Sequence, residues 1–205
     1  MAVIPVAEEE QIPLISCAAG SKITDPVKKW VFKTAQNDSL AVAKIYDYLQ
    51  NKRKISKVAI LTVSDSFGSS GREQLKTHAA KYGIQIVLDD TYGPKDTDMT
   101  SQLTRIKGTA AQAIIVWGTN PGPAVIARNR VQLKVGLPLY MSHGVASPKF
   151  IELAGPENAE GILLPAGRLI AEGQVPSGHP QKAILANYTK EYETRFKQPI
   201  STFGG

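Results

Sequence analysis

The sequence predicts an α/β fold built on a doubly wound parallel sheet. Three observations lead there. Short apolar runs alternate with segments of helical periodicity from about residue 37 onward. The first of those runs, Val58 to Val63, is continuous rather than alternating, as in a strand covered on both faces. Glycine, proline and asparagine punctuate the joints between segments.

The elements follow in order. Val3 to Gln11 has the composition of a helix tail, and Ile12-Pro13-Leu14-Ile15 reads as a short buried strand. Asn37 or Asp38 can cap a helix whose apolar positions are Ala41, Ile45, Tyr48 and Leu49. After the Val58–Val63 strand, a second helix carries Leu75, Ala79 and Tyr82 on one face and stops at Gly83. Ile84 to Leu88 is the next strand. Asp98 can cap a short helix bearing Met99, Leu103 and Ile106 that closes near Gly108. Ala113 to Trp117 is a third strand, followed by a Gly-Thr-Asn-Pro-Gly-Pro turn and a helix with Val125, Ile126 and Leu133. Leu137 to Met141 gives a fourth strand, Pro148 to Ala154 a short helix, and Gly161 to Leu164 a fifth strand. Five strands joined by helices imply a parallel, doubly wound sheet with right-handed crossovers, and in a 2-1-3-4-5 order the first and third strand ends would flank the switch point. Ala171 to Pro180 reads as a linker, and a last helix holds Ile184, Tyr188, Tyr192 and Phe196 in register.

Composition narrows the function. At 205 residues the chain can bury a real core. Apolar residues at 42% and charged residues at 20% are ordinary for a globular protein, which removes disordered and fibrous classes. The net charge of +6 is scattered, apart from Lys52-Arg53-Lys54, so it reads as a solvated surface and no nucleic-acid partner is expected. Cys17 is the single cysteine, which excludes an internal disulfide and a cysteine-based zinc site. No run reaches the length of a membrane span. No secretory signal is read either, because Met1 leads directly into Ala-Val-Ile-Pro and a run of glutamates. Both ends read as internal to a longer protein: the first helix has no strand before it, and Ser201 to Gly205 supplies no closing element.

In a doubly wound sheet the ligand crevice lies beyond the carboxyl ends of the strands, at the switch in strand order. Three segments fall there: Ser64-Asp65-Ser66-Phe67-Gly68, Trp117-Gly118-Thr119-Asn120 and Met141-Ser142-His143-Gly144. Phe67, Trp117 and His143 would give one crevice two aromatic rings and an imidazole, suited to a small, partly apolar ligand. Each has a plainer reading: Phe67 as a hydrophobic anchor of its helix, Trp117 as core, His143 as a partner for a turn carbonyl. His78 and His179 have surface-like surroundings and no ligand spacing to His143, so no metal is expected. Gly68-Ser69-Ser70-Gly71 lacks both the Gly-Lys-Ser/Thr and the G-x-G-x-x-G patterns of phosphate loops. There is no G-x-S-x-G elbow, and Asp65, Asp89 and Asp90 read as caps and turn residues. These residues favour binding over catalysis, and no cofactor is expected.

Ala2 to Ser21, Val31-Phe32-Lys33-Thr34, Ser64 to Gly68 and the Trp117-Gly118 strand end resemble the leucine/isoleucine/valine-binding protein family. These are type I periplasmic binding proteins of branched-chain amino-acid ABC transporters. The resemblance spans essentially the whole chain. It implies two Rossmann- or flavodoxin-like lobes closing over a ligand. Residues 1–35 would be the tail of the first lobe and a hinge strand, residues 36–168 the complete second lobe, and residues 169–205 a return to the first, partial lobe. It also implies a periplasmic or other extracytoplasmic protein whose signal peptide is lost with a missing N-terminus, and an ABC transporter permease as membrane partner.

The family's carboxylate loop is a Ser-x-Ala-Ala-Thr type segment. Here it reads Ser16-Cys17-Ala18-Ala19-Gly20-Ser21, which assigns ligand contacts to Ala18 and Ser21, with Gly20 at the hydroxyl position. The aromatic before glycine matches Phe67, and the aromatic at the end of the third strand matches Trp117. Where amino-acid binders carry a glutamate for the ligand ammonium, this chain has His143. An imidazole pairs poorly with an ammonium, so the expected ligand is a small organic carboxylate, an aromatic acid before a branched-chain amino acid. A ligand-sensing domain of a receptor or transcription regulator is the main alternative, and an enzyme on the same sheet a third. A chain lacking part of one lobe exposes apolar surface and is expected to self-associate.

Overall fold

The computed structural model describes residues 2–201, and residues 202–205, part of the closing stretch discussed above, lie outside the described residues. The chain divides into two compact units, one of residues 1–19, 23–36 and 166–205, the other of residues 20–22 and 37–165.

The smaller unit begins with α1 (Ile4–Glu9), which has Pro5 in its first turn, where a missing N–H costs nothing. Glu8 at the end of α1 accepts the amides of Trp30 (2.6 Å) and Lys29 (3.2 Å). It thereby orients the short parallel pair β1 (Leu14–Ser16) and β2 (Val31–Lys33), registered Leu14 to Val31. Ile4, Ile23, Val31 and Leu14 form its small apolar cluster.

The larger unit is the doubly wound sheet. Its first helix, α2 (Asp38–Asp47), leaves Asn37 at the cap without a side-chain cap bond and puts Asp38 inside the first turn, fully buried. The helix widens into an i→i+5 turn at Tyr48–Arg53 and stops at Lys54 in the left-handed region. Strands β3 (Lys57–Val63), β4 (Gln85–Tyr92), β5 (Ala113–Trp117) and β6 (Leu139–Met141) run parallel in the order β4-β3-β5-β6. Helices α3 (Ser66–Ala79), α4 (Thr100–Lys107), α5 (Gly122–Gln132), α6 (Pro148–Ala154) and the single turn α7 (Pro156–Ala159) link and cover them. A strand's side chains alternate between faces, and both faces are buried here. Ala59, Leu61, Val63, Ile114, Val116, Leu139 and Met141 join one core with Leu103, Ile126 and Phe150. Val58, Ile60, Ala113, Ile115, Trp117 and Tyr140 join the other with Val42, Tyr46 and Leu75. Tyr46 donates its hydroxyl to the Leu75 carbonyl at 2.8 Å, pinning α2 to α3, and burial pushes its phenol far above the ordinary range.

Two expectations differ in extent. The second strand runs on past Leu88 to Tyr92 because its polar half is an edge: Asp89 pairs with Arg72 (2.6 Å) and Lys76 (3.0 Å), and Asp90 with Arg105 (2.5 Å). Burial pushes the Asp89 carboxyl up, but the bonds from Arg72 and Lys76 together outweigh it and hold the group below the usual carboxylate range. The fifth strand shrinks to one bridge, Tyr140 to Leu163, with Leu163 accepting from the Met141 amide at 2.8 Å. Pro165 follows at once and has no N–H to extend the ladder. The stretch read as a linker holds a 3₁₀ segment, Arg168–Gln174, tied by Glu172 to Lys182 at the start of α8 (Lys182–Phe196). On α8, Tyr192 lies 5.9 Å from Tyr188 and 4.8 Å from Phe196, while Ile184 is exposed.

Candidate ligand-binding site

Three strand ends meet in the larger unit because β3 and β5 are neighbours at the point where the chain switches direction across the sheet, with β6 beside them. At the end of β3, Asp65 caps α3 by accepting the Gly68 amide at 2.8 Å. Gly68 is required there: a Cβ would lie 1.8 Å from the Val63 carbonyl oxygen. This tight turn presents Phe67. At the end of β6, the buried Ser142 hydroxyl donates to the Gly118 carbonyl (3.0 Å) and accepts the amides of Gly118 (3.4 Å) and Gly144 (3.3 Å). That one side chain ties the β5 and β6 ends together. A Cβ on Gly144 would fall 2.8 Å from the Phe67 ring and 2.9 Å from the Gly118 carbonyl oxygen, so the third segment closes down on the first.

Phe67, Trp117 and His143 therefore form one aromatic cluster. The Phe67 and Trp117 rings are 6.0 Å apart, and the imidazole stands edge-on to each at 5.7 Å. Their exposures differ. Phe67 is half-buried, His143 is 4% exposed, and Trp117 is completely buried. The parity of β5 explains the last: Trp117 shares a face with Ala113 and Ile115, toward α2 and α3, where Gly71 leaves room for the indole. The indole backs the other two rings from within the core.

Beneath His143 lies a feature that a cap reading of Asp38 does not suggest. Asp38 Oδ1 is 3.6 Å from His143 Nε2, an ion-pair distance but too long for a direct hydrogen bond. Its Oδ2 accepts the Ser70 hydroxyl at 2.5 Å. On the other side of β5, Tyr92 is buried against Gly118 and Gly122. Burial, reinforced by the charge of Asp65, pushes its phenol far up and keeps it neutral.

The remaining two predicted residues lie between β1 and β2. Ala18 is exposed, in the smaller unit, its amide donating to Ser16 Oγ at 3.2 Å. Ser21 opens a 3₁₀ turn, is buried, and groups with the larger unit. Next to it, Lys22 pairs with Glu73 on α3 at 2.7 Å. Among the described residues no group of three histidine, cysteine or acidic side chains is placed to hold a metal ion, and no helix is long and apolar enough to cross a membrane.

A family model described as periplasmic binding protein matches residues 1–204. The chain belongs to the periplasmic binding protein family. It is a family of binding proteins, not enzymes. An amino acid binding protein of Pseudomonas aeruginosa is 23% identical over 179 residues, covering 83% of this chain and 48% of that protein. A Leu/Ile/Val-binding protein homolog of Brucella melitensis is 22% identical over 158 residues, covering 77% and 43%. The solved structure of an extracellular ligand-binding receptor from Rhodopseudomonas palustris covers 100% of this chain and is itself covered to 57%. Its TM-score is 0.89 at 24% identity, which speaks for the fold alone. This periplasmic binding protein chain thus spans about half the length of the curated relatives it matches.

Proposed function

We propose that this chain is the ligand-gripping part of an extracytoplasmic solute-binding protein that delivers a small organic carboxylate to the permease of an ABC importer. The amino-acid-binding names of its relatives and its family membership support the general role. The observation that carries the ligand class is His143 at the end of β6, where the family it resembles places a glutamate against the ligand ammonium. The nearest carboxylate, Asp38, is fully buried behind that imidazole and engaged with Ser70, so it offers a ligand ammonium no accessible partner. A buried ammonium left without a counter-charge costs several kcal/mol, on the order of 3–5. A carboxylate without an ammonium avoids that cost, and the half-buried Phe67 ring suits an aromatic one. Phe67 and His143 contact the ligand in this reading, Trp117 supports both from the core, and Ala18 and Ser21 remain the carboxylate-loop residues.

A thermal-shift panel tests the reading by comparing benzoate-type acids, aliphatic acids, leucine and valine. A ligand at about a hundred times its dissociation constant adds roughly 2.7 kcal/mol of stability. Stabilisation by aromatic acids, with leucine and valine weaker, is the expected outcome. Tighter binding of leucine or valine would return the site to branched-chain amino acids, as the names of the relatives suggest.

A further inference from the structure

We infer that Asp38 is a positioning residue that holds His143 as an imidazolium, so that the crevice turns the positive end of a buried ion pair toward its ligand. The inference deepens the carboxylate reading above and rests on it only for the ligand it names. Three observations support it. First, Asp38 is completely buried, and an aspartate is almost never fully buried unless it is paired. Second, the Ser70 hydroxyl reaches Asp38 Oδ2 at 2.5 Å, a length typical of a hydroxyl donating to an ionised carboxylate. Third, the other carboxylate oxygen lies 3.6 Å from His143 Nε2, close enough for its charge to raise the proton affinity of the ring.

Burial by itself disfavours the charged ring, so the charge of Asp38 has to outweigh that cost. On the α3 side, the Asp65 carboxylate is turned to the Gly68 amide, while Arg72 and Lys76 face Asp89. The two rings on His143 also agree with a cation. Phe67 and Trp117 are aromatic neighbours at 5.7 Å, and the low dielectric that penalises the buried cation also strengthens the pull of the Asp38 charge on it. With Nε2 directed at Asp38, the N–H on Nδ1 is the second donor of the charged ring.

Imidazole nitrogen NMR on the protein reads this without any ligand. The chain has three histidines, so His143 is assigned by comparing the spectrum with that of His143→Gln. At about pH 7.5, a unit above the ordinary histidine value, both His143 nitrogens are expected to be protonated in the wild type. In Asp38→Asn the ring is expected to be neutral. A neutral His143 in the wild type overturns the inference, and this arm needs no variant to fold. A charged ring that persists in Asp38→Asn overturns it as well. A second arm compares benzoate with its uncharged isostere benzamide by calorimetry. Asp38→Asn is expected to weaken benzoate about tenfold, one pKa unit's worth, and to leave benzamide unchanged. Equal loss for both probes would make Asp38 merely structural and overturn its role. A doubly protonated wild-type His143 that depends on Asp38, in a protein that binds leucine but not benzoate, would support the inference while sinking the aromatic-carboxylate reading.

Discussion

Replacing Gly71 with alanine puts a methyl carbon where the structure leaves no space for one. Gly71 lies inside α3, where ordinary helix propensity favours alanine over glycine by about 1 kcal/mol. Propensity alone therefore predicts a more stable protein. The packing predicts the opposite. An ideal Cβ at position 71 would stand 2.2 Å from Cδ1 and Nε1 of Trp117 and 2.4 Å from Cε2, more than an ångström inside ordinary contact, which begins near 3.4 Å. The indole has nowhere to go, since it is completely buried and flanked by Phe67 and His143. An overlap this deep against a ring that cannot move lies in the upper part of the usual overpacking range, about 2–3 kcal/mol, and less the propensity gain of about 1 kcal/mol the net effect is a loss of about 1–2 kcal/mol. For a chain of this size that is a fall in Tm of roughly 2–8 °C. Calorimetric melting of Gly71→Ala measures it, with Gly136→Ala as the control because its Cβ would meet nothing within 4 Å. An unchanged or higher Tm for Gly71→Ala would refute the close approach of α3 to Trp117, and with it the account of why that ring backs the site.

Other perturbations follow from the same geometry. Ser142→Ala removes the cross-tie between the β5 and β6 ends and leaves the Gly118 and Gly144 amides short of a partner. It should cost about 1–3 kcal/mol in urea denaturation and weaken benzoate binding. Asp89 is held below its unfolded pKa, so its contribution is present above about pH 3.9 and is lost as pH falls through the folded value. Asp89→Asn should therefore lose about 0.5–1 kcal/mol at neutral pH. The gap to wild type should narrow as pH falls below about 3.9, and a gap that does not narrow in acid would contradict the pairing with Arg72 and Lys76.

Much of the fold was legible because burial on both faces of a parallel sheet forces long apolar runs. Val58–Val63 and Ala113–Trp117 coincide with β3 and β5, and the observed order β4-β3-β5-β6 is one in which the ends of those two strands flank the switch point. What the sequence obscured was set by edges and by long-range pairs. Asp89 and Asp90 look like turn residues, yet they lie in β4, because partners on α3 and α4 make a polar edge stable. Leu163 looks like strand, but the chain reaches Pro165 before a ladder can form. The strand-end rule singled out Phe67, Trp117 and His143, whose rings the fold brings together, and the period of two in β5 put Trp117 on the α2–α3 side. Asp38 escaped because a carboxylate at a helix start has an adequate local explanation. Its pairing with Ser70 and His143 joins three distant stretches of chain, and no local pattern encodes that.

The polar half of β4 has a consequence for the molecule among its neighbours. A parallel sheet ends in strands whose outer backbone groups invite a further strand from another chain. Here one border carries Asp89 and Asp90, each held by a cation from a covering helix. An incoming strand would have to dock beside two carboxylates and their cationic partners, and charge on an edge strand disfavours such pairing. The ion pairs, worth little as folding energy, act as a fence against edge-to-edge aggregation, so their removal should appear in solubility sooner than in melting temperature.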